Sequence, residues 1–225
     1  MEPDHSHYLA PARFIDSDSN AVQAFAARLT EGAASPRERA RRLFVGVRDE
    51  IAYDPYVDFD ALDTYRASAC LAAGRGYCVA KAVLYAAALR AAGVPARVGF
   101  ADVRNHLATP RLLKLMGSDV FILHGYASLY LDGSWIKATP TFNLSLCERF
   151  GVKPLEFDGE NDALFHEYDR AGRRHMEYLR DHGTFDDVPI ERIIGDMRRA
   201  YPKLFASHEG DFAAEASSAR AASEA

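Results

Sequence analysis

His124-Gly125-Tyr126-Ala127-Ser128-Leu129-Tyr130-Leu131-Asp132-Gly133-Ser134-Trp135-Ile136-Lys137-Ala138-Thr139-Pro140-Thr141-Phe142 is the stretch on which the fold turns. Two β-prone runs, Val120 to Leu131 and Ser134 to Phe142, flank Asp132-Gly133, a pair that accepts the positive φ angles of a two-residue hairpin loop. That loop sets Leu131 opposite Ser134, Tyr126 opposite Thr139, His124 opposite Thr141 and Ile122 opposite Asn143. One face of the hairpin then carries His124, Tyr126, Thr139, Thr141 and Asn143, and the other Phe121, Leu123, Ala127, Leu129, Leu131, Ile136 and Ala138. The apolar face suits a core, and the polar face suits the wall of a site.

Upstream, the loop Ala72-Ala73-Gly74-Arg75-Gly76-Tyr77 delivers Cys78 to the start of a run, Val79 to Ala92, in which only Lys81 and Arg90 are charged. So apolar a helix is buried on most of its circumference. Gly93 suits a left-handed C-terminal cap, Pro95 bars continuation, and Val94 to Ala101 reads as a strand. A thiol in a first helical turn faces unpaired N–H groups and the positive end of the helix dipole, which favour the thiolate and can hold a developing oxyanion. Cys78 is therefore the candidate nucleophile and His124 its candidate base. Thr139 and Asn143, diagonal neighbours of His124 across the hairpin, and Asp102, at the end of the preceding strand, are candidates to orient the imidazole. Tyr77, Tyr126, Asp102 and His106 are the candidates to contact substrate. The expected fold class is α+β, with the nucleophile at a helix N-terminus packed on an antiparallel sheet.

The remaining segments divide the chain into residues 1–35, a leader and a short helix from about Asp18 to Thr30; 36–145, the core; 146–205, a helical and irregular extension of the same domain; and 206–225, a frayed or disordered tail. Ser35-Pro36 with Glu38 starts a capped helix to about Asp49, with Leu43, Phe44, Val47 and Ile51 on one stripe. Arg104 to Ser118 reads as an excursion over the surface. Helices are expected over Tyr168 to Asp181 and Ile190 to Ala200, with His166, His175 and His182 solvated and Trp135 a packing anchor.

Composition excludes several classes. A net charge of −5, from 27 basic and 32 acidic residues, offers no footprint for nucleic acid. No run of about eighteen apolar residues suggests a membrane span, and Met1-Glu2-Pro3-Asp4-His5 does not open a signal peptide, so a cytoplasmic location is expected. Cys70, Cys78 and Cys147 match no zinc spacing, and Cys78, His106 and His124 include no short ligand pair; no metal or cofactor is expected. Cys70 and Cys147 read as small buried hydrophobes. Oligomeric state is not written in these patterns.

Taken in order, Leu43 to Tyr53, Gly76-Tyr77-Cys78-Val79-Ala80-Lys81-Ala82, Leu89 to Arg97, His124-Gly125-Tyr126 and Tyr130 to Ile136 resemble the transglutaminase-like superfamily, whose core shares the papain-like architecture. The resemblance implies a cysteine enzyme acting on a peptide or small amide, by hydrolysis or by acyl transfer through a thioester. The family usually carries aspartate in an Asp-Pro-Thr run, and here the run is Thr139-Pro140-Thr141. A threonine hydroxyl can fix the tautomer of His124 but brings no charge to an imidazolium. That substitution motivates an alternative, a catalytically silent domain that binds a peptide or partner protein in the same cleft. A purely structural Cys78 is a third reading.

Overall fold

The computed structural model describes residues 4–106, 108–164, 176–206 and 209–224. Its centre is the helix that starts at the candidate nucleophile, Cys78–Ala91, in which every side chain from Cys78 to Arg90 is buried. Both of its cations are consumed by carbonyl groups. Lys81 Nζ donates to Arg48 O at 2.9 Å and Ile51 O at 2.5 Å, and Arg90 donates to Ala96 O, Ala10 O and Asp186 O at 2.9, 2.6 and 2.7 Å. Gly93, at φ 77, turns the chain out of the helix, as expected.

Around this helix, α4 in chain order, pack α1 (Asn20–Thr30), α2 (Pro36–Glu50) and α3 (Ala67–Ala73). The start of α2 follows its sequence signals: Ser35 Oγ accepts from Glu38 N at 3.2 Å, Pro36 takes the first position, and Glu38 Oε2 accepts from Ala34 N at 2.8 Å. Leu43, Phe44, Val47 and Ile51 are all in the core. Two short parallel strands, β1 (Ala52–Tyr53) and β2 (Arg75–Gly76), lead into α4.

The other layer is an antiparallel sheet of order β5-β4-β3-β6, with β3 at Ala96–Asn105, β4 at Val120–Leu131, β5 at Ser134–Ala138 and β6 at Met176–Phe185. Ala96, Val98 and Phe100 pair with Leu129, Ala127 and Gly125, on the face turned to α4. The hairpin register is the expected one from Leu131↔Ser134 to Ala127↔Ala138, through a loop with Asp132 at φ 49 and Gly133 at φ 87. It ends sooner than expected. Thr139 gives its N–H to Ala163 O at 2.8 Å and Pro140 has none to give, so the pairings Tyr126/Thr139, His124/Thr141 and Ile122/Asn143 do not form.

Four further expectations are corrected. The strand placed at Val94 to Ala101 begins at Ala96 and runs to Asn105, and the supposed surface excursion after it contains α5 (Pro110–Met116), whose Leu112 and Met116 are buried. Thr109 Oγ1 caps α5 by accepting from Leu112 N at 3.3 Å. Of the expected helix Tyr168 to Asp181, residues 168–175 lie outside the described residues and the rest belongs to β6, because the free edge of β3 offers a ladder that outweighs local pattern. Beyond α6 (Leu144–Phe150), α7 (Ile190–Ala200) and α8 (Pro202–Phe205), much of the expected tail is α9 (Phe212–Glu224). Phe212, among the rings of Tyr53, Tyr56 and Phe150, anchors α9, and Glu215 Oε2 accepts from Tyr56 OH at 2.6 Å and Thr109 Oγ1 at 2.9 Å.

Candidate functional site

Cys78 is the first residue of α4, and its N-cap Tyr77, extended at φ −83 and ψ 179, supplies no side-chain cap. The N–H groups of the first turn are thus left facing the sulfur rather than a capping oxygen. The N–H groups of Gly125, Val79 and Cys78 itself favour the thiolate, but burial dominates and pushes the Cys78 thiol up to about 11. Gly125 allows this closeness: a Cβ there would sit 2.7 Å from Val79 Cα and 3.2 Å from Cys78 O.

A cavity of about 40 Å³ lies at the thiol, with Cys78, Tyr77, His124, Tyr53, Met116 and Tyr201 in its wall. It holds a water or two and no peptide. Tyr201 OH donates to Val120 O at 2.6 Å and accepts from Ile122 N at 2.7 Å, which pins β4 just before His124. A bulge follows, with Leu123 in the left-handed region at φ 55 and its N–H given to Asp102 Oδ1 at 3.0 Å. Such a conformation is costly for a branched side chain, and the carboxylate supplies the acceptor that the broken ladder lacks.

His124 borders a second cavity, of about 30 Å³, together with Thr139, Thr141, Phe142, Cys147 and Met176. His124 Nε2, Thr139 Oγ1 and Thr141 Oγ1 are buried there without a hydrogen-bond partner among the described residues. Burial pushes the imidazole down to about 4. Thiol and imidazole therefore rest as a neutral pair near pH 7.

The other candidates divide. Asn143 sits at the N-cap position of α6 without a side-chain cap, its Oδ1 accepting from Tyr53 N at 3.0 Å and its Nδ2 donating to Ser145 Oγ at 2.8 Å, so its amide is engaged away from His124. Asp102 acts on the bulge beside His124 and not on the ring; its Oδ1 also meets His182 Nε2 at 2.8 Å. Arg192 Nη2 donates to His182 Nδ1 at 2.9 Å, which makes Nε2–H the donor to Asp102. His182 was expected to be solvated, yet its side chain is 9% exposed, because β6 turns it onto Asp102. Tyr126 lies over Gly99 on the face away from α4 and donates to Asp181 Oδ1 at 2.9 Å. His106 pairs with Glu177 Oε1 at 2.8 Å. Neither Tyr126 nor His106 lines the thiol cavity, whereas Tyr77 does, as a buried ring against Phe59. His166 and His175 lie outside the described residues.

Sequence reading missed Tyr53, Leu112, Met116 and Tyr201 as cavity walls, whereas Thr141, placed with Thr139 on the polar face of the hairpin, does line one cavity with it. Only Gly125 left a legible trace, as a glycine next to the candidate base. No group of three metal-ligating side chains occurs among the described residues, and no helix among them is long and apolar enough to cross a membrane.

Comparison with known families matches the chain to the transglutaminase-like superfamily over residues 23–140, a little over half of its length. The chain belongs to the transglutaminase-like superfamily. Its fold is accordingly the papain-like α+β fold of that superfamily. The matched residues of this transglutaminase-like chain include Cys78, His124 and Thr139 and end before Thr141 and Asn143. No curated protein matches it. Among solved structures, a candidate cysteine protease from Cytophaga hutchinsonii, determined to 1.9 Å, is 18% identical with a TM-score of 0.48, over 84% of this chain and 58% of that one. The transglutaminase-like chain thus spans under two thirds of that protein.

Proposed function

We propose that this protein is a cysteine enzyme of the transglutaminase-like type that acts on amide bonds of a peptide or small amide. The observation that carries the reading is the setting of Cys78: a sulfur at the start of α4, ringed by the N–H groups of Gly125 and Val79, in a cavity shared with His124. In the first step, Cys78 Sγ forms a bond to the amide carbonyl carbon while His124 takes the thiol proton. The resting pair is neutral, so this proton moves as the sulfur attacks and not beforehand. The carbonyl oxygen gathers negative charge against first-turn N–H groups. Collapse of the tetrahedral adduct breaks the C–N bond, and His124 hands its proton to the departing amine. Water then cleaves the thioester to an acid and restores the thiol; an amine in place of water gives a new amide. Hydrolysis needs no acceptor site and is the reading we adopt. Substrate entry requires walls of the 40 Å³ cavity, which include Leu112 and Met116 of α5 and Tyr201, to move aside.

Limiting alkylation tests this. Intact-mass and peptide mapping after iodoacetamide are expected to find Cys78 modified well before Cys70 and Cys147, and His124→Ala is expected to slow that reaction at least about tenfold. Slow, uniform labelling indifferent to His124 supports the second reading, a silent domain that binds a peptide or partner protein. The small size of the cavity and Thr139, in place of the usual aspartate, are the observations that favour it.

A further inference from the structure

The imidazole of His124 needs a partner on Nε2 if it is to hold one tautomer, and each protein group that is a candidate for the task is engaged elsewhere or falls short. Asn143 is spent on Tyr53 and Ser145, and Asp102 on Leu123 and His182. Thr139 Oγ1 makes no bond to it. Yet His124, Thr139 and Thr141 line one cavity of about 30 Å³, and each carries a buried polar atom, Nε2, Oγ1 and Oγ1, that is unpartnered among the described residues. The residues that carry them are 7%, 3% and 6% exposed. Leaving three such atoms unpaired is unfavourable, because each has given up its hydrogen bonds to water.

The chemistry of the set identifies what fits. The guest must accept from an imidazole N–H, exchange hydrogen bonds with two hydroxyls and occupy a space of roughly one to two waters. Among the described residues an anion meets no buried cation there, since Lys153, the one charged residue of the wall among them, is exposed. We propose that a buried water held by the hydroxyls of Thr139 and Thr141 accepts the Nε2–H of His124, and so performs the orienting task of the aspartate that Thr139 replaces. Thr139 and Thr141 are then positioning residues that act through the water. Nδ1 keeps its lone pair, which makes it the nitrogen able to take the Cys78 proton. The arrangement fixes the tautomer without placing a carboxylate beside the ring, in keeping with a resting pair that is neutral. Its catalytic meaning rests on the proposed function, but the tautomer does not.

The test reads the resting protein, with no substrate. In imidazole-region ¹H–¹⁵N spectra of labelled protein, His124 is expected as the neutral Nε2–H tautomer with a slowly exchanging proton. Thr141→Val and Thr139→Val are expected to speed that exchange at least about tenfold, because a buried water needs two or more polar partners, while Thr141→Ser and Thr139→Ser keep it slow. Thr139→Asp is expected to raise the His124 titration by roughly one pH unit or more through a nearby opposite charge. A crystal structure is expected to place one water within hydrogen-bond distance of all three atoms. A proton on Nδ1, exchange unmoved by both valines, a dry cavity, a bound anion, or direct contact of Thr139 with the ring each overturns the inference. Because alkylation of Cys78 is a separate measurement, an inert thiol with the expected spectra refutes the enzyme reading and leaves the water in place.

Discussion

Two regions of this molecule bury polar atoms, and they treat them in opposite ways. Along α4, Lys81 and Arg90 meet carbonyl oxygens at five hydrogen bonds, each oxygen released by the end of a helix or strand or by a loop. Around His124, three buried polar atoms lack a partner among the described residues, and His124 shares a cavity with a sulfur flanked by backbone N–H groups. The first arrangement is what folding favours, since unpaired buried groups are costly. The second is tolerated only where something other than stability is served. Polarity in the α4 core thus marks structure, and polarity around His124 marks the candidate site.

The contrast breaks most severely at Gly125, where the two regions touch. Gly125→Ala puts a methyl 2.7 Å from Val79 Cα, and backbone cannot yield as a side-chain tip can. A loss of about 3 kcal/mol or more in chemical denaturation is expected, together with loss of selective Cys78 alkylation.

Acid and alkali separate the two regions without mutation. His124 falls from 6.5 to about 4 on folding, so between those values the unfolded chain binds more protons and stability falls as pH drops from 6.5 toward 4. The loss is on the order of 3 kcal/mol, and His124→Gln is expected to flatten that limb of the denaturation-versus-pH curve. Lys81 falls from 10.5 to about 7, with burial the cause, so the same sign makes stability rise with pH above 7. Above 9 the thiols of Cys78 and Cys70, raised to about 11 and about 12, work against it, because the unfolded chain then loses protons first. The window from 7 to 9 isolates Lys81, and Lys81→Met is expected to erase the rise there.

Single deletions sharpen the comparison further. Lys81→Met also strands Arg48 O and Ile51 O and is expected to cost about 2 kcal/mol at pH 7, whereas Thr141→Val is expected to cost less than about 1 kcal/mol while changing His124. Thermal and urea unfolding of the two variants side by side measures that inequality, and equal costs would erase the distinction drawn between the regions. The smallest effects concern Asp102. Asp102→Ala strands Leu123 N at a strained bulge and is expected to lose about 1–2 kcal/mol, while Asp102→Asn, which retains an acceptor, is expected to stay within about 0.5 kcal/mol of the wild type.

Much of the frame was legible because its signals are local. Ser35-Pro36 and Glu38 cap α2 within four residues, Asp132-Gly133 turns the hairpin by its own φ preference, and the apolar run after Cys78 can only be a buried helix. The same signals put Cys78 at a helix start and His124 on a strand next to it. The companions of His124 were harder to read. Extending the hairpin register past Ala138 placed Asn143 diagonal to the ring, but Ala163 captures the Thr139 N–H and Asn143 takes the N-cap position of α6.

What the sequence by itself determined was the helix that presents the thiol, the hairpin that carries the histidine, and the absence of the usual aspartate, each a matter of residues a few positions apart. Only the tertiary structure decided that β6 closes the sheet edge, that α5 brings Leu112 and Met116 to the thiol cavity, that Leu123 bulges onto Asp102, and that His124 shares a small cavity with two threonines. Those choices depend on which backbone donors and acceptors remain unpaired once distant segments meet, and no local pattern records that competition.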